Sequence, residues 1–330
     1  MIEHENVRLR IGWIIGMLYL LTSLLSAQNE RYTFTDFTVK DGLSHANVLS
    51  IYEDKIGSYW VGTIDGLTRI LGNEIKNYSY HYSDSTSILS NHVQFVVEDA
   101  CGQLWVSTSH GVSKYFSNTD SFVPVFVAGN LLKAFSYQLE GQHILFGGNQ
   151  AIYSYDCSVG EIKPLLLLQS SFPLSINYFK RVDKNRFLVV DNYKGVFWVD
   201  AQTGVVTRFP TIHHKTEYNQ AFIDSESHLW LAPYTKGLEC YSLEDEGKLL
   251  HHYTTDNSLL SHNSVTDVKE FGSQLWIATD GGGINILDRK SGFFQHVTHS
   301  SFDEHSISSD FIRVLFEDSF GTKWAGTVHN

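Results

Sequence analysis

The sequence predicts an all-β fold, a seven-bladed β-propeller preceded by a signal peptide. Three observations predict it: one stretch recurs along the chain, its period suits propeller blades, and its apolar residues are strand formers. The clearest copy is Ser90 to Tyr115, SNHVQFVVEDACGQLWVSTSHGVSKY. It reads as a polar lead-in, an apolar strand, an Asp-x-x-Gly turn, a strand opening on Trp, and a third strand led by Gly. Aligning Trp60, Trp105, Phe146, Leu188, Trp230, Trp276 and Trp324 gives steps of 45, 41, 42, 42, 46 and 48 residues. A period of about 40–50 residues built from short strands marks propeller blades. The apolar runs are rich in Val, Ile, Phe, Tyr and Trp and end on Gly, Asp, Asn and Ser, which excludes a helical array. One blade cannot bury both faces of its sheet, so blades must stack around an axis.

Taken in order, residues 1–27 read as a secretion signal. Arg8 and Arg10 precede an apolar run from Ile11 to Leu25, and Ser26-Ala27 offers a small residue for cleavage. The run is short for a membrane span, though an uncleaved anchor is the alternative. The propeller domain is placed at 28–330, outside the cytoplasm, in the periplasm. Within it Tyr32–Val39 alternates as a strand before Asp41-Gly42-Leu43. It is expected to pair into the last blade and close the ring, with Phe34 or Phe37 facing the core. Blades are then expected near 44–88, 89–130, 131–170, 171–212, 213–257, 258–304 and 305–330. Blades three and four lack the Trp. The seventh stops at Asn330 where its third strand is due, so further protein is expected downstream.

The repeated residues have structural readings. Asp54 with Gly57, Asp99 with Gly102, and Asp318 with Gly321 make turns in which Asp caps backbone N–H groups and Gly takes positive φ. Asp224 opens a similar turn. Calcium at these aspartates is disfavoured, because no Asp-x-Asp-x-Asp-Gly loop is present. Trp60, Trp105, Trp230, Trp276 and Trp324 are expected to wedge between blades, since periodic occurrence argues for packing over ligand stacking. Trp198 is off that register. Asp280-Gly281-Gly282-Gly283 lacks the helix and Lys of a phosphate cradle and reads as a turn.

Composition bounds the chemistry. The chain has 330 residues and a formal net charge of −12, which argues against nucleic-acid contact. Cys101, Cys157 and Cys240 form no Cys-x-x-Cys pair and read as small apolar residues, not as a metal or redox site. The pairs His213-His214 and His251-His252 point to opposite faces of a strand and read as non-ligands. No metal, cofactor or catalytic residue is assigned. Ligand candidates come only from the polar lead-ins: His45, Asn47, Asn91, His92, His262 and Asn263. Loops preceding the inner strands gather round one mouth of the channel, where Ser, Asn and His suit a polyhydroxylated ligand. The competing reading is that they cap strand ends.

Gly42-Leu43-Ser44, Glu53-Asp54-x-x-Gly57-x-x-Trp60-Val61-Gly62-Thr63 and Gly66-Leu67-x-Arg69 resemble the two-component regulator propeller repeat. The resemblance extends over 32–330, clearest in blades one, two, six and seven and weakest in three and four. It implies the N-terminal periplasmic sensor region of a hybrid two-component histidine kinase. In that family two propellers and an immunoglobulin-like domain precede a membrane helix, a kinase core and a receiver. It further implies an oligosaccharide ligand derived from glycans, downstream partner domains, room for a homodimer, and kinase activity only in a longer parent protein. No ligand residue is carried over. The alternatives are a propeller polysaccharide lyase or glycosidase, and a protein-interaction propeller without a small ligand.

Overall fold

The apolar runs form strands because they are short, β-branched or aromatic, and bounded by turn residues. A computed structural model describes residues 32–212, 217–245 and 247–328. The chain divides into two units, Met1–Thr33 and Phe34–Asn330. Of the first, only Tyr32 and Thr33 are described, neither in a helix or strand. The expected signal at 1–27, and also His213 and His214, lie outside the described residues. Among the described residues no helix is long and apolar enough to cross a membrane.

The second unit contains six four-stranded antiparallel sheets, each with its strands in sequence order. Their first strands are Val48–Glu53, Val93–Glu98, Ser136–Glu140, Tyr178–Arg181, Tyr218–Ile223 and Val265–Phe271. First strands of neighbouring sheets touch one another, those of blades two and three through the Phe95 and Tyr137 rings 4.9 Å apart, and are therefore innermost. The architecture is a β-propeller of six complete blades, which corrects the expected seven. The last repeat contributes only a hairpin, Ile312–Glu317 with Lys323–Thr327. Its first strand touches the inner strands of blades six and one.

The N-terminal stretch does not close the ring as a strand. Residues 32–38 are outside regular structure, and the Phe34 N–H donates one bond to the His305 carbonyl at 2.9 Å. The hairpin has no third strand among the described residues, so the stretch finds no ladder to extend. Thr38 instead caps a short 3-10 turn, Val39–Asp41, through a reciprocal bond with Asp41. Phe37 is half-buried and packs on Leu43, Val48 and Val61, in line with its expected core-facing role.

Side chains seal the ring at this seam. Glu53 of blade one accepts from the Ser319 backbone N–H at 2.6 Å and from its hydroxyl at 2.9 Å. The Tyr59 hydroxyl donates to Asp318 Oδ2 at 2.8 Å, and its ring lies 4.8 Å from that of Trp324. The same carboxylate-to-turn latch recurs between Glu98 and the Lys55 N–H, and between Glu270 and the Ser225 N–H. Glu53, Glu98 and Glu270 thus each read the preceding repeat's turn, whereas Glu317 pairs with Lys323 of its own hairpin.

The Asp turn proves to be one unit with the Trp. Asp54 Oδ1 accepts from the Ile56 and Ser58 N–H groups, and Oδ2 accepts from the Trp60 indole N–H at 2.8 Å. Asp99, Asp224 and Asp318 hold Trp105, Trp230 and Trp324 in the same way. Each of these carboxylates is thereby occupied by N–H donors. Gly57, Gly102 and Gly321 take φ of 81°, 88° and 82°, while Ser227 adopts 62° in blade five. In blade six the turn shortens to Gly272-Ser273, and Gln274 accepts from the Trp276 indole at 3.3 Å.

The indoles wedge between blades. Trp60 packs on Val93, Val96, Leu104 and Val106 of blade two, and Trp105 on Ile144, Phe146 and Tyr155 of blade three. Burying about 200 Å² of indole contributes at most about 5 kcal/mol before entropy. In blade three the wedge position belongs to Leu145, not Phe146. The turn there is only two residues, with Glu140 paired to His143, so the register slips by one. A one-residue slip exchanges faces. Phe146 therefore points back to Trp105, at 5.1 Å between rings, while Leu145 packs with Phe179 and Phe187 of blade four.

Two of the three cysteines are not simple apolar residues. Cys101, in the Asp99 turn of blade two, is disulfide-bonded to Cys157 of blade three, 56 residues away, with Cα atoms 5.9 Å apart. Propeller stacking brings together turns that sequence spacing separates. Cys240 is a free, buried thiol that burial pushes up to about 12.

Candidate functional site

The inner strands run along the axis with alternate residues facing it. They line a cavity of about 910 Å³ that every blade and the hairpin border. The strands are laced round the axis by side chains. The Ser107 hydroxyl donates to the Ala134 carbonyl, Ser136 to Ile176, Asn219 to Val265 and Thr266 to Ile312. These bonds satisfy backbone groups that would otherwise be buried without partners. At mid-channel Gln220 Nε2 donates to Asp267 Oδ1 at 2.6 Å, and Asp267 Oδ2 accepts from the Leu315 N–H at 2.9 Å. Lys269 Nζ lies 3.6 Å from the same carboxylate. The buried Asp267 is thus committed to holding blades five and six and the hairpin together.

Each of the six lead-in residues has a definite place. The His45 ring nitrogen accepts from the Asn47 N–H at 2.9 Å, and that of His262 from Ser264 at 3.2 Å. Asn91 Oδ1 accepts from the Tyr80 N–H, and its carbonyl accepts from the Gly66 N–H. Asn263 does the same for Thr255 and Gly237, and Asp310 for His299 and Gly283. These three side chains tie an inter-blade linker to the lead-in. Asn47 keeps a buried Oδ1 without a partner among the described residues. Of the six, only His92 lines the cavity. His251 and His252 lie on the outer strand of blade five, where His252 bonds the Lys236 carbonyl. Among the described residues one group has metal-ligand spacing, Asp99 with Cys101 and Cys157, and both sulfurs are spent in the disulfide.

Sequence reasoning missed the turns between second and third strands at the same mouth. In blade four Asp191 Oδ1 accepts from the Tyr193 and Lys194 N–H groups, which fixes the turn and leaves the Tyr193 ring 72% exposed. In blade five the turn after Pro233 presents Tyr234, 55% exposed. Backbone bonds join them: Tyr218 N–H to the Asn192 carbonyl and Tyr234 N–H to the Glu217 carbonyl, both at 2.8 Å. Asn192, Tyr193, Glu217, Tyr218 and Tyr234 all line the cavity. The Tyr218 hydroxyl is buried without a hydrogen-bond partner among the described residues. Burial first, then the charge of Glu239, raises it above the ordinary phenol range, so it stays a donor. The equivalent turns elsewhere carry Ile64-Asp65, Ser109-His110 and Asp280-Gly281. An aromatic at this one point of the repeat was the available signal.

Residues 42–65, which span the blade-one lead-in, Asp–Trp turn and second strand, match the two-component regulator propeller family. The chain carries a two-component regulator propeller repeat. Histidine kinase P4 of Formosa agariphila is 50% identical over 64 residues, which are 19% of this chain and 5% of that protein. Two solved structures described as extracellular domains of hybrid two-component systems from B. thetaiotaomicron share the propeller's fold. One has 22% identity and a TM-score of 0.74, over 91% of this chain and 41% of that chain. The other has 19% identity and a TM-score of 0.71, over 91% and 39%. The propeller spans about two fifths of those chains.

Proposed function

We propose that this propeller is the extracytoplasmic sensing region of a hybrid two-component receptor. In this reading it binds an oligosaccharide released from a glycan and passes its occupancy to a histidine kinase in a longer parent protein. The repeat match at residues 42–65 carries the reading. The fold shared with extracellular domains agrees with it. So does the Cys101–Cys157 disulfide, since disulfides persist in oxidising compartments. Export would use residues 1–27 as a signal, with the parent anchored in the inner membrane and open to homodimerisation. In this reading the kinase chemistry belongs to the parent protein, and Asp267, the buried carboxylate among the described residues lining the channel, serves structural bonds.

The test is calorimetric titration of the purified chain with a panel of defined oligosaccharides, with each saccharide recovered and analysed afterwards. Saturable binding with intact saccharide supports the reading. Cleaved product would make the propeller a lyase or glycosidase. No binding to any glycan would leave a protein-interaction propeller.

A further inference from the structure

We infer that the saccharide subsite is one sector of the mouth, over blades four and five, and that it takes a neutral saccharide segment. This rests on the sensing reading above and specifies where and what it binds. The sector is built from Asn192, Tyr193, Glu217, Tyr218 and Tyr234.

Three observations support it. First, the sector is continuous and rigid. The two turns and residues 217–218 are joined by backbone bonds, and the blade-four turn is pinned by Asp191. A pre-formed site does not lose binding energy to ordering itself. Second, its side chains are free. Those of Asn192, Tyr193, Glu217 and Tyr234 make no hydrogen bond or ion pair among the described residues, unlike Asn91, Asn263 and Asp267. Third, Tyr193 and Tyr234 line the cavity with their rings 72% and 55% exposed, so both faces are open to a ligand in the mouth.

The chemistry selects the ligand. Two exposed tyrosine rings give flat apolar faces of the kind that pack on the C–H face of a pyranose, with hydroxyls at their rims. Glu217 supplies carboxylate oxygens that accept from sugar hydroxyls, and Asn192 both donates and accepts. The Glu217 charge, on a chain of net charge −12, disfavours a uronate or sulfate in this sector. Among the described residues lining the cavity, the guanidinium of Arg313 belongs to the hairpin and Lys269 of blade six lies against Asp267.

The experiment compares wild type, Tyr193→Ala/Tyr234→Ala, Tyr193→Phe/Tyr234→Phe and His92→Ala. Each is titrated with neutral oligosaccharides and with their uronate-bearing or sulfated counterparts. Both tyrosines are exposed on turns, so the double variants keep the fold, checked by circular dichroism. Wild type is expected to bind a neutral saccharide, the Ala pair to bind at least about tenfold more weakly, and the Phe pair to keep most of the affinity. An unchanged affinity in the Ala pair, or a loss confined to His92→Ala, overturns the sector while leaving the sensing reading intact. Binding of acidic saccharides alone overturns the neutral assignment. Binding of no saccharide by wild type defeats the sensing reading itself and the inference with it.

Discussion

Breaking the Asp54–Trp60 unit tests the structural logic of the blade most sharply. The Trp60 indole is 1% exposed and its N–H reaches one charged oxygen at 2.8 Å. Removing Asp54 leaves that donor buried without a partner, and a hydrogen bond to a charged group contributes about 1.5–3 kcal/mol. A double-mutant cycle of Asp54→Ala and Trp60→Phe isolates the pair, because Phe fills most of the volume without the N–H. The expected coupling is about 2 kcal/mol, read from urea unfolding followed by far-UV circular dichroism. Blade six is the internal control. There the Trp276 indole meets the neutral Gln274 at 3.3 Å, so the matching cycle is expected to give only about 0.5–1 kcal/mol. Additive effects in blade one, or equal couplings in both blades, would refute the claim that the charged acceptor fixes the wedge.

Other outcomes follow from the seam and the core. Burial works to raise Asp318, but donors from Trp324, the Thr322 N–H and Tyr59 outweigh it and hold the carboxyl at about 2. A folded pKa depressed below the ordinary value of about 4 contributes stability present above pH 4 and lost as pH falls from about 4 to 2. Asp318→Asn should therefore flatten the acid limb of the stability profile, and an unchanged limb would remove Asp318 from the seam. For the 56-residue separation between Cys101 and Cys157, the chain-entropy relation gives about 4 kcal/mol. Replacing both by Ser should lower urea stability by up to that amount, and alkylation of the unreduced, denatured chain should label Cys240 alone. A Cβ on Gly147 would lie 2.5 Å from Ser136 Oγ and 2.7 Å from Ile176 Cγ2. Gly147→Ala should thus cost about 1–3 kcal/mol by overpacking, measured in the same unfolding assay.

The blades were legible because Asp, Gly and Trp recur for reasons local to each repeat. Turn capping, positive φ and an indole wedge leave marks at fixed spacing. What was not legible depends on neighbours far apart in sequence. The Glu53–Ser319 latch joins residues 266 apart, and the Cys101–Cys157 bond needs the stacking of two blades. Phe146 misled because a shortened turn moved the register by one residue, which strand composition does not reveal. The lead-in candidates lie at the same end of the strands as the turns between second and third strands. Asn91 and Asn263 recur there because each straps a linker, so their recurrence carried packing information. Tyr193 and Tyr234 break the repeat, and that break marks the proposed sector.

Hydrogen–deuterium exchange with and without a saturating neutral oligosaccharide tests the account's central claim most directly. The account predicts added protection of peptides spanning 191–195, 217–218 and 233–237, with little change elsewhere around the mouth. Protection centred instead on the lead-ins at 44–47, 90–92 and 261–264 would contradict it.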